Sequence, residues 1–455
     1  METVFAQTAL LPGGWAYDVR VSIDAEGRIG NVETGSTSAG GSRVDVLLPA
    51  PSNLHSHTFQ RAMAGLAERR SPSGRDSFWT WREIMYRFLD ILSPDEIGAI
   101  AAFAFMEMQE AGFAGVAEFH YLHHQPGGQP YDDPGELSNR IVSAAKETGI
   151  GLTLLPVHYR QGGVDGRPLT GGQLRFGNDL HRFGALLERA EHHLRALSAD
   201  AGLAIAPHSL RAVGAADLRE LERLRPDAPL HMHVAEQLGE VDETIAVFGK
   251  RPMTWLLDNF DVGPRWCLIH STHMTPEETG RLAATGAGAG LCPVTEANLG
   301  DGIFNGARFT EAGGQFGIGS DSNIRISAAE ELRQLEYSQR LRDNARVVLA
   351  GAGQSSGRFL YGKALEGGSQ ALGRRAGAIA PGNWADLVAL DRRAGVLEGA
   401  GGDAILDAWI FTSGNHAVSD LWSAGRHSVK GGRHVQRKAI AGRYRKCLAS
   451  IMSRL

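Results

Sequence analysis

Eight short apolar runs, most of them followed by a stretch of helical periodicity, constrain this chain more than any other feature of it. They are Leu47–His57, Gly115–His120, Gly151–His158, Leu203–His208, Pro229–Ala235, Arg265–His270, Gly288–Pro293 and Phe316–Asp321. Helical stretches separate them: from Ser93 to Gly112, Glu136–Thr148, Asp179–Leu197, Ala215–Leu224, further stretches to Asn259, Pro276–Thr285, and a last one from about Ala328 to Ala350. The start at Ser93 is explicit, with Ser93 as N-cap, Pro94 at the first helical position and Glu96 three residues after the cap. Strands alternating with helices predict α/β architecture, here a parallel (β/α)8 TIM-like barrel.

The ends of the chain read differently. Ala16–Ile23 alternates as a strand and Asp24 to Gly27 turns it, within a segment of short strands that runs to about residue 46. After about residue 370 the pattern reverts to β, at Ala376–Asp391, Ala404–Thr412 and Leu421–Arg433. The N-terminal segment is too small for a core of its own. The expected organisation is therefore a small β-sandwich built from residues 1–46 and 371–455, beside a catalytic barrel of residues 47–370.

Barrel enzymes carry their chemistry at the C-terminal ends of the strands. In this chain His55 and His57, His120 and Tyr121, His208, His233 and Glu236, His270, and Asp321 all fall at such ends. Side chains two apart on a strand share a side, so His55 and His57 can grip one ion. His233 adds a third imidazole and Asp321 a carboxylate. Such a nitrogen and oxygen set with an open position for water suits one divalent ion, zinc best. Zinc lowers the pKa of bound water to roughly 7. Glu236 lies beside the ion without having to bind it, and is the expected proton shuttle to a leaving nitrogen. His270 is placed to hydrogen-bond the attacking water, and Asp321 to accept its proton. In His231-Met-His233 only one histidine fits the spacing with Glu236, so His231 reads as structural. His120, His123, His124, His158 and His273 are weaker candidates.

Composition excludes several other classes. The formal charge of −5 and the absence of a Lys/Arg run offer nothing to nucleic acid or an anionic membrane surface. No apolar run approaches the roughly 18 residues of a membrane span, and the start Met1-Glu-Thr-Val-Phe-Ala has no secretory pattern. Cys267, Cys292 and Cys447 are odd in number and far apart, which argues against a disulfide framework and for a reducing cytoplasm.

His55-Ser-His57, His233-Val-Ala-Glu236, His270 and Ser320-Asp321-Ser322 resemble the amidohydrolase superfamily, and Gly377–Asp391 is similar to its tail signature. The resemblance covers essentially the whole chain. With no strand-end lysine to bridge two metals, and a glutamate after His233, it is to the mononuclear deaminase branch. Within that branch Asn53–Gly65 and Ala206–Val213 resemble the N-formimino-L-glutamate deiminases. The resemblance implies hydrolysis of formiminoglutamate to N-formylglutamate and ammonia in histidine degradation, by water activated at the metal. It implies a small dicarboxylate as substrate, with Arg82 and Arg211 as its clamps, since guanidinium forks suit carboxylates. It also implies Tyr121 as a hydroxyl donor, and Gln60 and His208 as groups that position the formimino group or the backbone nitrogen. The segment Thr58–Gln60 and the long connection on to Arg82 are expected to choose the substrate. A homo-oligomer, a dimer, is the expected assembly.

Two rivals make different demands. A nucleobase-type deaminase, or a chlorohydrolase relative, calls for stacking groups and amide readout in place of paired arginines. A catalytically silent barrel acting as a binding module is expected to have lost a ligand or the shuttle, and here all are present.

Overall fold

Eight parallel strand positions close into a barrel. The structure, a computed structural model, describes residues 2–37, 40–70 and 76–455. Ser52–Ser56, Gly115–His120 and Gly151–His158 pair in parallel, followed by a strand broken into Gly202–Leu203 and Ala206–Pro207. Leu230–Val234, Trp266–His270, Gly288–Leu291 and Gln315–Ile318 form the other half. Bridges from Ile205 to Leu230 and from Ser56 to Asp321 join the halves. The strands are buried on both faces, which is why they read as continuous apolar runs. Leu54, Leu154, Leu268 and Phe316 pack in this core, each contributing about 1.5–3 kcal/mol by leaving water.

The closing seam sets the site. Asp321 donates its N–H to the His55 carbonyl and accepts from the His57 N–H, both at 2.9 Å. So tight an approach needs Gly319, because a Cβ there would lie 2.8 Å from the His55 carbonyl oxygen. The seam therefore brings Asp321 beside the two histidines of the first barrel strand.

Both ends of the chain share one further sheet. Arg433–His434, Arg426–Lys430, Val418–Ser423, Leu387–Leu390, Ser42–Pro49, Glu2–Leu11, Gly14–Ile23 and Ile29–Glu33 follow one another across it. Its strands keep period 2. Leu387 and Ala389 enter a small core of the sheet itself, while Val388 and Leu390 join the barrel core.

Several local readings change. The run Leu47–His57 is two strands: Ser42–Pro49 belongs to the sheet of the ends, and the chain turns at Ala50-Pro51 into Ser52–Ser56. Proline lacks the N–H a continuous ladder requires. Ala404–Thr412, expected to be a strand, is helical, as Ala404–Ala408 continuing into a π turn at Trp409–Ser413. Of Ala376–Asp391 only Leu387–Leu390 is a strand. The helix from Ala328 stops at Asp343, where Asn344 takes a left-handed conformation at φ 52°. The sequence reading also passed over helix Arg437–Met452, which docks on Pro94–Glu110 by stacking Tyr444 on Phe103 at 3.9 Å. The cap at Ser93 has the expected form, with Ser93 and Glu96 closing a capping box. The long connection after His57 holds a 3-10 turn at Thr58–Met63 and helix Phe78–Leu89, and its residues 71–75 lie outside the described residues. Among the described residues no helix is long and apolar enough to cross a membrane.

Candidate active site

Strand ends on this barrel turn sharply, and the turns are where the polar side chains gather. Ala235, His270, Ser271, Asp321 and Asn323 all have positive φ, between 43° and 66°, without being glycine. Such residues cost about 1–3 kcal/mol each and cluster where surrounding structure enforces them, commonly at functional sites.

His55, His57 and His233 present nitrogens within 4.8 Å of one another. His57 Nδ1 faces the Phe119 carbonyl at 2.9 Å and His233 Nδ1 the His208 carbonyl at 3.0 Å. A nitrogen facing a carbonyl must carry the proton, so each Nε2 turns a lone pair inward. The Nε2 atoms of His233 and His55 are 3.1 Å apart, and Asp321 Oδ1 lies 3.3 Å from His57 Nε2. Burial keeps the imidazoles neutral, lowering His57 to about 3 and His55 and His233 well below the ordinary value. Lone pairs converging beside a carboxylate form a donor set that fits a cation. Burial pushes Asp321 up to about 7, a shift that a cation beside it opposes.

Glu236 and His270 stand at the open side of this cluster. His270 Nε2 is 3.7 Å from Glu236 Oε1 and 3.8 Å from Asp321 Oδ2, and its Nδ1 is 3.3 Å from Glu296 Oε1. Burial alone lowers this imidazole, but Glu236, Glu296 and Asp321 override it and push it up to about 10. Arg211 Nη2 donates to Glu236 Oε2 at 3.1 Å.

All five residues expected to read substrate line one pocket with His57, His233, Glu236, His270 and Asp321, enclosing about 800 Å³ with its mouth. Gln60 Nε2 donates to the Tyr121 hydroxyl at 2.8 Å, and Gln60 Oε1 is buried without a partner. His208 Nδ1 pairs with Ser209 Oγ at 2.9 Å. Helix Phe78–Leu89 turns Phe78, Trp81, Arg82 and Met85 to the pocket, the spacing of one helical face. Arg82 lies over the ring of Trp79 at 4.5 Å, and among the described residues no carboxylate is within ion-pair distance of it.

His120, His123, His124, His158 and His273 do not line this pocket. His158 pairs with Asp217 at 2.9 Å, and His123 and His124 with the carbonyls of Val157 and Gly177. His231, two residues below His233 on the same strand, donates to the Ala371 carbonyl at 2.7 Å. The sequence reading passed over Tyr159, Phe176, Glu240 and Glu296. Tyr159 alone had a legible signal, one residue beyond the third strand end as Tyr121 is beyond the second. Its ring packs on His208 at 4.7 Å and its hydroxyl accepts from Gln173 at 3.2 Å.

Residues 46–427 match the model of the amidohydrolase family, and residues 1–45 that of the N-terminal domain of formimidoylglutamate deiminase HutF. Formimidoylglutamate deiminase of Pseudomonas aeruginosa is 47% identical over 455 residues, 99% of this chain and 100% of that one. The 8-oxoguanine deaminase of Pseudomonas aeruginosa is 29% identical over 350 residues, 75% of this chain and 73% of its own. A solved amidohydrolase from Brucella melitensis superposes with a TM-score of 0.95 at 49% identity, covering 99% of this chain and 100% of that one. A zinc-bound adenosine deaminase from Xanthomonas campestris, 20% identical, shares the fold with a TM-score of 0.82 over 99% of this chain and 98% of its own. On the full-length likeness to the Pseudomonas enzyme and the two family models together, this chain belongs to the amidohydrolase family and, within it, to the formimidoylglutamate deiminases.

Proposed function

We propose that this chain hydrolyses N-formimino-L-glutamate to N-formyl-L-glutamate and ammonia in histidine degradation. The observation that carries the reading is two guanidiniums, Arg82 and Arg211, in one pocket with an imidazole and carboxylate cluster. Among the described residues Arg82 has no acid within ion-pair distance, which leaves its guanidinium available to a substrate carboxylate. The buried, unpartnered Gln60 Oε1 offers an acceptor for an N–H of the formimino group.

His55, His57, His233 and Asp321 would hold a single divalent cation, zinc by the nitrogen and oxygen character of the donors, which when bound would supply Lewis-acid activation of water. In the reaction the water oxygen joins the formimino carbon, the bond to the terminal nitrogen breaks, and both water protons end on that nitrogen, which leaves as ammonia. Glu236 carries a proton from water to the departing nitrogen. His270, set among Glu236, Glu296 and Asp321, stabilises negative charge developing on oxygen, and Asp321 accepts the water's other proton for delivery to the same nitrogen. Gln60, Tyr121 and His208 orient the formimino end.

The same reading assigns residues 47–370 to the barrel and residues 1–46 with 371–455 to the β unit beside it. Strand Ser42–Pro49, which runs in the sheet of the ends, supports a boundary near its end. Three cysteines without disulfides are in keeping with a cytoplasmic enzyme.

An aromatic wall of Phe78, Trp79, Trp81, Tyr86, Tyr159 and Phe176 is what a planar heterocycle would favour, and it keeps the nucleobase reading as the rival. Ammonia release is measured with formiminoglutamate, formiminoaspartate, guanine and cytosine. Turnover of formiminoglutamate above the others is expected. Turnover of a nucleobase with neither formimino acid accepted overturns the proposal.

A further inference from the structure

Helix Leu238–Phe248 carries a glutamate in its first turn, three residues after the cap Gln237. A glutamate there ordinarily reaches back to the N–H of the cap residue itself. Glu240 reaches past it. Its Oε1 accepts the Ala235 N–H at 3.1 Å and its Oε2 the Glu236 N–H at 3.1 Å. These bonds hold the turn at Ala235, whose φ of 53° a residue with a Cβ adopts only under constraint. That turn is what carries Glu236 out of the strand and into the pocket.

The same carboxylate faces the substrate arginine. Glu240 Oε2 lies 3.9 Å from Arg211 Nε, while Arg211 Nη2 donates to Glu236 Oε2 at 3.1 Å. The Glu240 side chain has no exposure and those of Arg211 and Glu236 are 9% and 6% exposed, so the three charges are close and weakly screened. A buried carboxylate is tolerated only when its charge and lone pairs are matched. Two N–H groups and a shared guanidinium match this one.

We propose that Glu240 is a positioning residue for the reaction, holding Glu236 at the reacting centre and Arg211 toward the substrate carboxylate. One buried group thus ties carboxylate recognition to proton transfer. This inference rests on the proton-transfer role given to Glu236 above.

A mutant cycle tests it, with metal content and thermal midpoint measured for every variant. Glu240→Gln keeps the volume but sets an amide N–H₂ against a backbone N–H or the guanidinium. We expect turnover per metal-loaded site to fall by about tenfold or more, and KM for formiminoglutamate to rise. In the Glu236→Gln background the same change is expected to add less than about twofold, because the group it positions is already gone. Glu240→Asp, which keeps the charge on a shorter arm, is expected to recover part of the loss, and it serves in the cycle if Glu240→Gln does not fold. Unchanged turnover per metal-loaded site, or losses that multiply in full in the double variant, overturn the inference. A wild-type enzyme that releases no ammonia from formiminoglutamate instead overturns the functional reading, before any Glu240 variant is made.

Discussion

Replacing Arg82 by glutamine separates recognition from stability, because among the described residues this cation has no acid to leave behind. Its guanidinium lies 4.5 Å from the Trp79 ring centroid. Such a contact is worth about 0.5–1 kcal/mol at a partly exposed position, so the thermal midpoint is expected to fall by only a few degrees. Recognition suffers more. A charge-assisted bond from a guanidinium to a carboxylate is worth about 1.5–3 kcal/mol. At roughly 1.4 kcal/mol per tenfold, kcat/KM for formiminoglutamate should drop about 10- to 150-fold. Because a carboxylate clamp holds substrate and transition state alike, most of the drop belongs in KM. Arg211→Gln makes the contrast. It strips Glu236 and Glu240 of a shared buried counter-charge, which costs about 3–5 kcal/mol, and should lower kcat, KM performance and melting together. The assay is initial-rate ammonia release across substrate concentrations, with melting followed by circular dichroism. A kcat/KM for Arg82→Gln within about threefold of wild type would refute the assignment of Arg82 to a substrate carboxylate, since even a single charge-assisted bond exceeds that.

Glu236→Gln should lose about 10²–10⁴-fold in kcat with bound metal retained, and full activity in a metal-loaded variant sinks the shuttle role. Asn323 is buried and donates to Ser56 Oγ and to the carbonyls of His57 and Asp321 at 3.0–3.1 Å. Asn323→Ala should weaken metal affinity by about 10- to 100-fold in a chelator competition, and unchanged affinity would count against that arrangement. Asp200 bridges barrel and end sheet through Arg374 and Arg426 at 3.0 and 2.6 Å. Burial raises its pKa, but Arg426 and Arg374 outweigh it and hold the carboxyl below the ordinary value. Its contribution is therefore present above an unfolded value of about 3.9 and is lost as pH falls through the lower folded value. Asp200→Asn should melt well below wild type at pH 7, with the gap closing below about pH 4. A gap that is constant with pH contradicts the ion pairs.

Local pattern was enough for much of this protein. The alternation of apolar runs with helical stretches, the box at Ser93 and Glu96, and histidines at strand ends are written within a few residues of one another, where periodicity and capping chemistry act. His55, His57, His233, Glu236, His270 and Asp321 could be selected because a barrel sends every strand end to one rim, so position on a strand stands in for position in space. The five residues that the family resemblance put forward line the same pocket. The misreadings have physical causes too. Leu47–His57 starts as an apolar run and reads as one stretch, and pairing with two different sheets divides it at Ala50-Pro51. Ala404–Thr412 is apolar enough for a strand, and it is helical because it packs against helix Ser356–Leu372 in place of a sheet edge.

What the tertiary structure alone decided is the company each side chain keeps. Nothing near Glu240 in the sequence says that it reaches two N–H groups behind its helix cap, or that Arg211 lies within 3.9 Å of it. Glu296 reaches His270, and the Phe78 helix face meets Tyr159 and Phe176 across the pocket, only once the barrel has closed. The sequence determined which groups stand at the rim, because strand and helix periods are short-range properties. Which of them touch, at what distance and with what charge, depends on closure between Ser56 and Asp321 and on the turns after each strand, where the chain leaves regular geometry and periodicity stops predicting direction.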